Sequence, residues 1–199
     1  MHKLIFAAAA LGLALSLPAG AQTQGKDAAK GVDRKEAKAM KDLAEADMAE
    51  VAAGKLAAEK AKSDDVKKFG QQMQDDHGQN LSEVQKLAQA KGIDLPSQPK
   101  KKDQALAKKL ESQSGDRFDK AYMDAMVKDH KEDVKKLNAA AKSAKDPEIK
   151  ATLEKTAQTV QGHLKMAQDI QRNMGRTASN GSSSKSASSG SSSKSSSSK

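Results

Sequence analysis

Beyond its first residues the chain carries three histidines, His77, His130 and His163. Each falls near the middle of a different predicted helix, on that helix's apolar stripe. In an up-and-down bundle the helix midpoints share one level, so imidazoles from distant segments converge on one point of the core. Glu50 stands near the midpoint of a further predicted helix, with Asp47 one turn back and Gly54 one turn on. Imidazole and carboxylate together suit a transition metal such as zinc, iron or copper, which makes Glu50, His77, His130 and His163 the candidate metal ligands. Met73, Met126 and Met166 share faces with the histidines, a pattern open both to copper(I) and to plain core filling. Asp76 and Asp129 lie about 100° round from their histidines and read as polar flanks. Two other readings stand beside metal binding: histidines that are hydrogen-bonded core residues, satisfied by Glu50, Asp47 or a buried water, and a pH-responsive role.

Several chemistries are excluded. A carboxylate-bridged di-iron centre needs Glu-x-x-His on two helices, and the residues three before the histidines are Gln74, Val127 and Val160. The chain has no cysteine, hence no thiolate site and no disulfide framework. No nucleophile with a base and an orienting acid can be picked out, and no Gly-rich phosphate loop follows a strand, so the chain reads as a non-enzyme.

The elements that must position these residues are helical. Ala, Lys, Asp, Glu, Gln, Leu and Met dominate, and beyond the leader the aromatics are Phe69, Phe118 and Tyr122. Helices are predicted over 36–62, 64–91, 116–144 and 147–175. Ser63 is placed to cap the second and Gly92 to end it, while Asp146 and Pro147 mark a sharp start for the last. Between the second and third helices Pro96, Pro99 and Lys100-Lys101-Lys102 break the pattern, and Leu106 and Leu110 mark a short helix. That connection is long enough to cross the whole bundle. The expected fold is therefore all-α: a ferritin-like four-helix bundle with a long crossover carrying a short helix. Phe69, Met73, Asp76, His77 and Leu81 recur in type and spacing as Tyr122, Met126, Asp129, His130 and Val134, a faint echo that supports paired hairpins. Gly54, Gly78 and Gly162 sit at or beside the histidine level. Each costs about 1 kcal/mol against Ala in a helix interior, so close helix approach or ligand space is expected of them.

Residues 1–21 read as an export signal: Lys3, then an apolar run from Leu4 to Leu17, then Ala19-Gly20-Ala21 before a mature start near Gln22. The run is too short to span a bilayer, so the mature chain is expected to be periplasmic or otherwise exported, with outer-membrane association open, and not transmembrane. A polar leader over 22–35 precedes the bundle at 36–175. Residues 176–199, rich in Ser, Lys and Gly, form an expected disordered tail. Much of the net charge of +9 sits there, on Arg176, Lys185, Lys194 and Lys199. Export and the lack of stacking aromatics argue against nucleic acid. A weak electrostatic contact of the tail with anionic envelope surfaces is the expected partner besides a metal ion.

The segments Glu50-Val51-Ala52-Ala53-Gly54-Lys55-Leu56-Ala57, Val66-Lys67-Lys68-Phe69-Gly70-Gln71-Gln72-Met73 with Asp76-His77, Phe118-Asp119-Lys120-Ala121-Tyr122 with Met126 and Asp129-His130, and Gly162-His163-Leu164 resemble, in order and spacing, a family of exported bacterial proteins carrying the domain of unknown function DUF4142. The resemblance implies a ferritin-like four-helix bundle and no established reaction. The chain departs from the family pattern at Thr159-Val160, where a Leu-Pro is expected before the last histidine. The function expected from all this is a binding or stress-protective envelope protein. The alternative is a holdase or interaction module whose histidines are structural.

Overall fold

The computed structural model describes residues 31–186, with side chains as far as Arg176. It contains five helices: α1 (Arg34–Lys60), α2 (Asp64–Ala90), α3 (Lys101–Glu111), α4 (Gly115–Ser143) and α5 (Pro147–Ser186). The expected export signal, most of the polar leader and residues 187–199 lie outside the described residues.

Local chemistry sets the helix ends. α1 starts two residues before the expected position because Asp33 and Glu36 form a capping box: the Asp33 carboxylate accepts from the Lys35 and Glu36 amides, and Glu36 Oε2 accepts from the Asp33 amide at 3.0 Å. α2 starts after Ser63 as expected, but the Ser63 hydroxyl makes no capping bond. Its C-terminal end is closed by Gly92 at φ 67°, with the Ile93 amide donating to the Ala88 carbonyl at 2.8 Å. Asp146 caps α5 through the Glu148 and Ile149 amides at 2.9 and 3.1 Å. This last helix is continuous as expected but longer than expected. α5 runs unbroken through Thr159-Val160 and continues past Gly175 to Ser186. No proline follows to interrupt the hydrogen-bond ladder, and a helical glycine lowers stability by only about 1 kcal/mol.

The helices form two antiparallel hairpins, α1–α2 and α4–α5, and two carboxylates show how the hairpins dock. Glu36 near the start of α1 accepts from the Lys145 and Asp146 amides, at 2.6 and 2.7 Å, in the α4–α5 turn. Asp119 near the start of α4 accepts from the Lys62 and Ser63 amides, at 2.9 and 2.7 Å, in the α1–α2 turn. α1 therefore begins where α4 ends, α1 and α4 are antiparallel, and the connection from α2 to α4 crosses the bundle from one end to the other. This is the connectivity of ferritin-like bundles, as expected. α3 lies on that crossover, against α1 and α4, and seats Leu110 fully in the core.

The apolar core comes in two parts. One, around Met40, Leu43, Val84, Leu137, Ile149 and Leu153, fills the end that holds the α4–α5 turn. The other, around Ala57, Val66, Phe69, Met73, Phe118 and Tyr122, fills the end that holds the α1–α2 turn. In the second part α1 and α2 approach closely. A Cβ on Gly54 would stand 2.6 Å from the Gly70 carbonyl oxygen, and one on Gly70 would stand 2.6 Å from the Ala57 Cβ. Close approach thus explains Gly54, with Gly70 as its partner. It does not explain Gly78, which meets Val51 only at 3.9 Å, nor Gly162, which faces solvent with nothing within 4 Å.

Candidate metal centre

Between the two apolar clusters lies a polar layer. α1 contributes Asp47 and Glu50, α2 His77 and Asn80, α4 His130, and α5 Thr156 and His163. The helical stripe that buries Phe69 and Met73 also buries His77, and the same holds for His130 behind Tyr122 and Met126. His130 is 1% exposed and His163 2%. The three imidazoles form a triangle with ring centroids 5.3 Å (His77–His163), 5.6 Å (His130–His163) and 5.8 Å (His77–His130) apart.

Each ring has a carboxylate behind it. His77 Nδ1–H donates to Asp47 Oδ1 at 2.8 Å. The other Asp47 oxygen accepts from Asn80 Nδ2 at 2.7 Å, and Asn80 Oδ1 accepts from the Thr156 hydroxyl at 2.9 Å. His163 Nε2–H donates to Asp76 Oδ2 at 2.9 Å. His130 Nδ1 lies 3.8 Å from Glu50 Oε1, too far for a hydrogen bond. What remains is a set of buried atoms with no partner: His77 Nε2, both nitrogens of His130, His163 Nδ1, Glu50 Oε2 and the Tyr122 hydroxyl. Apart from Gln113 Oε1, these are all the buried side-chain polar atoms without a partner among the described residues. Each such atom costs about 1–3 kcal/mol when left dry.

Burial dominates the electrostatics. It pushes the Glu50 carboxyl up to about 7, with His77 pulling against it and the charges of Asp129, Asp133 and Asp47 adding to it. It pushes His130 down to about 3, helped by the charges of His77 and His163, while the Met126 carbonyl pulls weakly the other way. His163 is lowered mainly by burial despite Asp76. At His77 burial also pushes down, but the Asp47 hydrogen bond and the nearby carboxylates outweigh it, so that this ring is raised. Burial, then the charge of Glu50, holds the Tyr122 hydroxyl well above its ordinary range.

Of the four residues expected to gather, the three histidines form the ligand cluster. One ligand atom from each lies within 4.8 Å of the others, and the three could hold a metal ion. Zinc bound tetrahedrally at about 2.0–2.1 Å places its nitrogens about 3.4 Å apart, within reach of modest ring rotations. Glu50 sits outside that group, behind His130. Asp47 partners His77, as one reading allowed. Asp76, read as a flank, is instead a partner of His163 across the α2–α5 contact. No sequence signal marked it: Asp129 holds the same place before His130 and bonds no histidine among the described residues. Met73 and Met126 are packed in the apolar cluster around Phe69 and Phe118.

Fold and site together define an all-α bundle with a buried histidine triad able to hold a metal ion. Among the described residues no helix is long and apolar enough to cross a membrane. The chain belongs to the family described as domain of unknown function (DUF4142), whose model matches residues 21–170. Comparison with curated proteins and with solved structures gives no match to either.

Proposed function

We propose that this is an exported metal-binding protein that holds one divalent transition ion through His77, His130 and His163 and acts by binding rather than by turnover. The observation that carries the reading is the pairing on the rings. At His77 and His163 a carboxylate accepts from one ring nitrogen while the other nitrogen is buried and unpartnered, and at His130, with Glu50 3.8 Å away, both nitrogens are buried and unpartnered. Histidines that ligate metals have the arrangement of His77 and His163, because the carboxylate fixes the tautomer and leaves the opposite lone pair for the ion. Structural histidines would use both nitrogens. A nitrogen-only set suits zinc, with copper(II) its strongest competitor and iron(II) a weaker one. Glu50, 3.8 Å from His130, balances the ion's charge.

The test is metal analysis and titration calorimetry on the mature chain made without an affinity tag. Zinc bound at one per chain, and lost in His130→Ala, is the expected result. A protein that takes up no zinc, copper or iron, and whose melting temperature none of them changes, overturns the reading. For the exported location, cell fractionation and amino-terminal sequencing should find a periplasmic chain beginning near Gln22. A cytoplasmic chain that retains Met1 to Ala21 refutes it. In the envelope, the Ser/Lys tail would add weak contact with anionic surfaces, including the outer membrane.

A further inference from the structure

Two clefts lead from the surface to the histidine layer, and they differ in chemistry. One, of about 410 Å³, lies between α1, α3 and α4 and reaches Glu50, Asp47 and His77. The other, of about 270 Å³, lies between α2 and α5 and reaches His77 and His163 past Asp76, Asn80 and Thr156. On the α2–α5 side, the His163 nitrogen facing Asp76 carries the proton of that hydrogen bond, and the Lys155–Glu83 ion pair at 2.6 Å lies along the cleft. A cation arriving there meets an N–H donor.

The cleft beneath α3 is different. Each lysine along it is engaged by an acid: Lys38 by Asp42, Lys100 by Asp42 and Glu45 at 2.6 and 3.6 Å, Lys102 by Asp103 at 3.6 Å, and Lys136 by Asp133 at 3.3 Å. Asp129 is left without an ion pair or hydrogen bond among the described residues, one helical turn from Asp133 on the same face of α4. At the inner end the lining includes Glu50, only 7% exposed, whose Oε2 is buried and unpartnered. An outer carboxylate pair and a buried inner one thus line a single passage whose far wall includes His77.

We infer that this cleft is the loading route for a divalent cation, captured at Asp129 and Asp133 and passed by Glu50 to the imidazoles. The inference rests on the metal-binding reading above. The lining carries more carboxylates than ammonium groups, and each lysine is already paired, so the acidic excess falls on Asp129 and Glu50. An excess of one sign between low-dielectric walls focuses the field and raises association rates, by roughly 10-fold or more, less so as salt rises.

The experiment is stopped-flow loading of the full apo chain with zinc, followed by competition with a chromophoric chelator, and release measured on adding excess EDTA. The double variant Asp129→Asn/Asp133→Asn should load about 10-fold more slowly at low ionic strength, with the difference closing near 1 M salt. Its release should be no faster than that of the parent chain, whereas loss of a true ligand would speed release. Glu83→Gln, beside the other cleft, should load at the parent rate. Unchanged loading in the double variant, or equal slowing by Glu83→Gln, overturns the route while leaving zinc binding intact. A parent chain that takes up no zinc overturns both the route and the reading beneath it.

Discussion

Glu36 and Glu50 lie on one helix about four turns apart, both buried, and they live in opposite surroundings. Glu36 accepts from the backbone amides of Asp33, Lys145 and Asp146, and those bonds hold its carboxyl below the ordinary range. Glu50 accepts no hydrogen bond from the described residues, and burial drives its carboxyl up to about 7. The contrast extends to their regions. At the bundle's ends Glu36 and Asp119 use their oxygens on turn amides, while the middle layer keeps unpartnered atoms on His77, His130, His163 and Glu50. Polar groups at the ends close the fold. Those in the middle find no partner within the protein, and the proposed metal site is built on them.

The largest expected effect separates the two regions directly. His130→Leu, close in volume, should weaken zinc binding by more than 100-fold in calorimetry, while urea unfolding of the metal-free chain shows it unchanged or more stable by about 1 kcal/mol, since an unpartnered buried imidazole is gone. If the metal-free variant instead loses about 3 kcal/mol and zinc still binds, the middle is ordinary core.

Next comes pH, where ends and middle should act with opposite sign. Glu36, lowered on folding, contributes stability that is present above its unfolded value near 4.5 and is lost as pH falls through its folded value. Glu50, raised on folding to about 7, makes the metal-free bundle less stable as pH climbs from about 4.5 to 7, by on the order of 2–3 kcal/mol. Urea midpoints from pH 3 to 8 should show Glu50→Gln removing the loss on the neutral side and Glu36→Gln removing part of the loss on the acid side. A Glu50→Gln profile parallel to the parent's would end the contrast. At pH 7, Glu36→Gln should lower stability by about 2 kcal/mol by weakening its charge-assisted bonds to the turn amides, with zinc affinity unmoved. The smallest effect concerns Gly162, whose added Cβ meets nothing. Gly162→Ala should raise the metal-free melting temperature by the equivalent of about 1 kcal/mol without altering metal binding.

The histidine triad and the crossover were legible in the sequence because each depends on a local signal. A stripe of period 3.6 places His77, His130 and His163 inward at helix centres, and the interval bounded by Gly92 and Gly115 contains two prolines and a separate short apolar pattern. The Asp76–His163 bond was not legible, because it depends on how far α5 is turned toward α2, and Asp76 lies off its own helix's apolar stripe. The Glu36 and Asp119 clamps were hidden for another reason. Their partners are main-chain amides more than a hundred and more than fifty residues away, and an amide has no sequence identity. Glycine misled at Gly162, where spacing put the residue at the right height but on the outward side of the helix.

The two clamps also bear on how the chain comes apart. Each hairpin's turn is finished by a carboxylate belonging to the other hairpin, so separating them strips acceptors from turn amides at both ends simultaneously. Opening should therefore be all-or-none, and hydrogen exchange should report one shared free energy for the central amides of α1, α2, α4 and α5 instead of two separable steps.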